Sequence, residues 1–189
     1  MRPTTPPQFA RKLAAVAKRL TLKDILQGKP LGHPLHPLLV HLPTALWPTA
    51  LVFDVISFAR KDGDISLTLT SWWCLLVGLV AAGAAVPAGI ADWTSIHRER
   101  PAWKIGQLHA GLNTAVFGLV IANFILRCIR GPAEPSVTVA QLTLSIISVL
   151  LLLPSGYLGG LMVYDQGIGV ARTSKDYWRR IARAGGARV

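Results

Sequence analysis

Residues 72–91, WWCLLVGLVAAGAAVPAGIA, run for twenty positions without a charged side chain. A helix of that length rises about 30 Å, the thickness of a bilayer's hydrocarbon core, and backbone amides in lipid must find partners within the segment itself. A soluble helix of the same length would carry a polar face, and this stretch offers none. Three further apolar runs lie around it, Leu38–Ala59, Leu108–Leu126 and Thr138–Val163. None of the four shows the ~10-residue alternation of an outer-membrane barrel strand. With 51% hydrophobic and 15% charged residues and a mean hydropathy of +0.43, the chain is predicted to be all-α, an integral membrane four-helix bundle. Short connections, expected around Arg60–Ser71, Asp92–Gln107 and Arg127–Val137, predict an up-down-up-down order. No internal repeat is visible. One transmembrane domain (30–171) is expected between a basic amphipathic leader (1–29) and a basic cytoplasmic tail (172–189).

The net charge of +11 acquires meaning from its placement. Sixteen of the twenty Lys and Arg fall before the first run, between the second and third, or after the fourth. That is the positive-inside pattern, and it predicts both termini in the cytoplasm (N-in/C-in) of a bacterial inner membrane. Nucleic acid is not implied, because no segment is long enough to fold into a soluble reading module. No cleavable signal peptide is expected, since the first thirty residues lack an uninterrupted apolar core. In the leader, Phe9, Leu13, Val16 and Leu20 keep helical spacing while Arg11, Lys12, Lys18 and Arg19 interleave, which suits a helix lying on an anionic inner leaflet; a disordered basic arm is the alternative. Tyr177, Trp178, Arg179 and Arg180 suggest the same at the other end. Cys74 and Cys128 both fall near the non-cytoplasmic face; a bridge is conceivable, although small buried hydrophobe is the commoner role. Gly78, Ala81, Ala82 and Ala85, with the GxxxG pair Gly156 and Gly160, predict close helix approach. Pro43, Pro48, Pro87 and Pro154 should bend helices or mark their starts. Trp47, Trp72, Trp73, Trp93 and Trp103 read as interfacial anchors. Asp54 lies ~20 Å along the helix from His41 and is expected near the opposite face, paired with Arg60 or reaching for water.

The histidines carry the functional signal. His33, His36 and His41 precede or open the first span, His97 follows the second and His109 opens the third, so all five belong to one membrane face. His41 and His109 are expected about one turn inside their spans, where a polar side chain usually faces the bundle interior. Asn113 lies one turn deeper on the face of His109. Haem b would need one imidazole from each of two helices, His41 and His109, with Asp92 and Asn113 as supporting hydrogen-bond partners. A divalent metal would draw on His41, His109, His36 and His33, with Asp92 as a further candidate. A proton relay or quinone pocket would need only titratable groups within reach of one another. Against all three stands a plain reading in which interfacial histidines cap helices and bond loop carbonyls.

These motifs carry a resemblance. GHPLHPLLVHLP (32–43), GIADW (89–93), HAGLN (109–113) and GGLMVYDQGIGV (159–170) together resemble bacterial membrane proteins of the domain of unknown function 2231 family, over roughly residues 30–171. The resemblance implies a four-helix inner-membrane protein. It also implies redox work, since relatives occur fused or adjacent to Rieske-type iron–sulfur modules. This chain has no such module, so an electron partner would be a separate protein or a quinone. The leading expectation is therefore a redox or electron-transfer subunit binding haem b through cytoplasmic-face histidines. The alternatives are a non-haem metal-binding or transport-related protein, and a cofactor-free scaffold forming homo- or hetero-oligomers.

Overall fold

The computed structural model describes residues 20–60, 62–169 and 183–186. The leader residues before Leu20 and the aromatic–basic tail cluster lie outside them. Every regular element among the described residues is helical: α1 (Leu22–Leu26), α2 (Leu35–Leu39), α3 (His41–Arg60), α4 (Ile65–Trp93), α5 (Pro101–Arg130) and α6 (Val139–Tyr164), with a 3-10 turn at Lys29–Leu31. Among the described residues, four stretches are long and apolar enough to cross a membrane: Leu35–Arg60, which joins α2 to α3, Ile65–Trp93, Pro101–Arg130 and Val139–Tyr164.

These spans are longer than the apolar runs because polar residues extend them. Asp64 caps α4 by accepting from the Ser66 amide at 3.0 Å, and the Ser66 N–H and O–H together hold its carboxyl below the usual carboxylate range. Thr70 bonds back to the Ser66 carbonyl, which lets a hydroxyl sit in an apolar helix at little cost. Ser71 and Arg127, expected in connections, are inside α4 and α5. A capping box joining Thr138 and Gln141 starts α6. Pro48, Pro87 and Pro154 lie within helices that continue past them.

The packing is inverted relative to a soluble bundle. Val52, Val55, Ile90, Leu150 and Leu153 point outward, while alanines and hydroxyl side chains fill the interior: Ala50, Ala81, Ala82, Ala85 and Ala88, with Ser71, Ser145, Ser148 and Ser155. Lipid tails are as apolar as leucine, so helix association gains from close approach and interhelical hydrogen bonds. A middle layer of Trp47, Ala50, Leu75, Ala82, Val116, Val120 and Leu152 separates two polar clusters. Trp47 is thus no interfacial anchor: it is 5% exposed, and its indole nitrogen rests over Gly78.

Candidate functional site

The first polar cluster is built from two imidazoles that reach each other from different helical pairs. Pro34, extended at the N-cap, turns the chain into α2 and sets His36 against α4. There His36 Nδ1–H donates to the Ala85 carbonyl at 3.0 Å. One turn on, Gly89 makes room for the ring: a Cβ at that position would lie 2.8 Å from His36 Cε1 and Nδ1. The same device recurs between α5 and α6. His109 Nδ1–H donates to the Ser155 carbonyl at 2.8 Å, and one turn beyond it a Cβ on Gly159 would lie 3.2 Å from His109 Cε1. The two ring centroids are 6.2 Å apart, with planes at 88°.

Asn113 completes the cluster. Its Nδ2 donates to His109 Nε2 at 3.1 Å and to Ser155 Oγ at 2.6 Å. The bond network assigns both imidazoles the Nδ1–H tautomer, which puts a lone pair on each Nε2. That of His36 has no hydrogen-bond partner among the described residues.

Of the residues singled out from sequence, His109, Asn113 and His36 come together, whereas His41 does not join them. It is exposed, with Nδ1 toward the Leu38 carbonyl at 3.2 Å. The ring that the structure brings beside His109 is thus His36 and not His41, the residue expected there from sequence. The reason is helical phase: five residues separate His36 from His41, nearly one and a half turns, so the two rings leave on different sides. His33 and His97 are exposed, and Asp92 is half-buried in the last turn of α4. Among the described residues no three His, Cys, Asp or Glu side chains gather as a metal would require, so the expected set of His33, His36, His41 and His109 is not assembled. Cys74 and Cys128 are unbridged.

Both rings present the nitrogen opposite a carbonyl-bound Nδ1–H, which is how ligating imidazoles are commonly oriented. Freeing His109 Nε2 requires Asn113 to give up one hydrogen bond while it keeps the Ser155 hydroxyl and the His109 carbonyl as acceptors.

The second cluster was not legible in the sequence. Asp54, fully buried, receives Ser71 Oγ–H from α4 at 2.6 Å, Arg127 Nη2–H from α5 at 2.7 Å and Ser145 Oγ–H from α6 at 2.6 Å. Asn123 supports it, accepting from Arg127 Nε at 3.2 Å and donating to Ser145 Oγ at 2.8 Å. Asp54 thus pairs with Arg127, while Arg60 pairs with Asp62. The one available signal was an acid isolated inside one apolar run and a base just past the end of another, residues that normally find each other.

No curated protein and no solved structure matches the chain. The profile of a family described as predicted membrane protein (DUF2231) matches residues 32–172, a range that contains both clusters and all four spans. The chain is a multi-pass membrane protein that belongs to the DUF2231 family.

Proposed function

We propose that this protein is a redox subunit of the bacterial inner membrane, both termini cytoplasmic, in which His36 and His109 would hold haem b. The observation that carries the reading is the matched presentation of the two rings: each Nδ1–H is committed to a helix carbonyl, which fixes the tautomer and puts the lone pair on Nε2, without a hydrogen-bond partner among the described residues in His36 and bonded to Asn113 in His109. Haem b held there would supply reversible one-electron exchange. The residues of the chain do the rest. Gly89 and Gly159 let the rings lie close against their helices, the two carbonyls stop the rings from rotating, and Asn113 holds His109 Nε2 until it is needed. The electron partner is a separate protein or a quinone, reached from an anionic inner leaflet.

The test is spectroscopic. Protein purified in detergent from haem-replete cells is expected to show a Soret band that shifts on reduction. His36→Ala and His109→Ala should each abolish it, and His41→Ala should leave it. A wild-type preparation without the band overturns the haem reading.

One observation favours a second reading, a proton relay. His36 Nε2 is unpartnered among the described residues, beside a continuous hydrogen-bonded run through His109, Asn113 and Ser155. In that case purified protein lacks porphyrin, but reconstituted vesicles show proton uptake that His36→Ala removes.

A further inference from the structure

The connection between α4 and α5 forms a cleft of about 380 Å³ that the imidazole pair does not use. Its wall is a pair of indoles, Trp93 at the last position of α4 and Trp103 in the first turn of α5, with ring centroids 5.1 Å apart and planes at 30°. Trp93 Nε1–H donates to the Trp103 carbonyl at 3.2 Å, which ties the end of one span to the start of the next. The Arg98 guanidinium carbon stands 5.8 Å from the Trp103 ring centroid, held by cation–π attraction. Arg98 forms no ion pair among the described residues. His97 lines the same cleft. Glu99 adjoins it, and Arg100 is turned away, donating to the Gln166 carbonyl at 3.0 Å.

We propose that this cleft binds the phosphate of an anionic phospholipid. A guanidinium that lies over an indole, with no ion pair among the described residues, offers a phosphate several donors in one plane. The indoles sit where two spans end, at headgroup depth, where tryptophan is favoured at membrane–water boundaries. The charge selects an anionic headgroup over a zwitterionic one. The position at the ends of two spans selects a lipid over a soluble phosphate, because acyl chains can continue along α4 and α5.

Lipid-stripped protein in mild detergent, titrated with phosphatidylglycerol or phosphatidylcholine and read by native mass spectrometry, tests this. One phosphatidylglycerol should be retained about fivefold more tightly than phosphatidylcholine, the discrimination expected from one cation near the surface. Arg98→Gln should erase the preference, Arg98→Lys should keep part of it, and Arg60→Gln, at the other end of the bundle, should leave it unchanged. Equal retention of the two lipids by wild type, a preference surviving in Arg98→Gln, or displacement of phosphatidylglycerol by millimolar inorganic phosphate would each overturn the proposal. The readout does not depend on haem, so it stands or falls separately from the redox reading.

Discussion

At Gly89 a hydrogen atom in place of a methyl group decides whether an imidazole can lie flat enough on α4 to reach a backbone carbonyl. Gly89→Ala should push the His36 ring away and break its bond to Ala85, because the new methyl would stand 2.8 Å from ring atoms. The expected loss is about 1 kcal/mol, the net worth of one intramolecular hydrogen bond, measured by denaturant titration in mixed micelles. The downfield Nδ1–H signal of His36 should disappear with it. Gly159→Ala, at 3.2 Å from His109, should do the same more weakly. If both variants match wild type in stability and imidazole signal, the glycines do not seat the rings. The sequence showed that these positions were small but not what they were small for. Helical spacing identifies a face on one helix, whereas the ring that lands on it comes from another: Trp47 on Gly78, His36 on Gly89, Trp93 on Gly106, His109 on Gly159. The GxxxG pair Gly156 and Gly160, also expected to bring helices close, receives no ring from another helix; a Cβ on Gly156 would meet no atom of its surroundings within 4 Å.

Between elements, Asp54 is the shared knot, since its two carboxylate oxygens take one donor from each of the other three spans. Asp54→Ala should lower stability by about 3–5 kcal/mol, because it strands the Arg127 guanidinium in a site where only 4% of that side chain is exposed. Asp54→Leu combined with Arg127→Met should cost less than Asp54→Ala alone, since a buried pair replaced by apolar groups leaves no unpaired charge. Unfolding titrations of the three proteins decide it, and a double variant less stable than Asp54→Ala would contradict the argument. The same knot explains why the helix ends were under-read. Hydropathy scores Ser71 and Arg127 as polar and leaves them outside the spans, yet their polarity is spent on partners inside the bundle. A sum over single residues has no term for a partner on another helix.

For the molecule as a whole, the class was legible from the charge-free run at 72–91 and the lengths of its neighbours, because lipid leaves a chain few other solutions. The proposed orientation rests on the charge asymmetry alone, and Cys128 offers a way to check it. It is exposed near the end of α5, while Cys74 is half-buried and near the Asp54 end of α4. With both termini cytoplasmic, a membrane-impermeant maleimide added to intact spheroplasts should label Cys128 and leave Cys128→Ser protein largely unlabelled. Labelling only after lysis would reverse the assignment.

Just ahead of the bundle, the Gln27 side chain is buried and reaches both the Ala91 carbonyl at 2.9 Å and the Ser95 hydroxyl at 2.7 Å. Those two contacts tie the segment ahead of the first span to the end of α4 and to the connection that carries Arg98. A pull on that segment is therefore felt at the connection too, up to the strength of two hydrogen bonds of about 1 kcal/mol each.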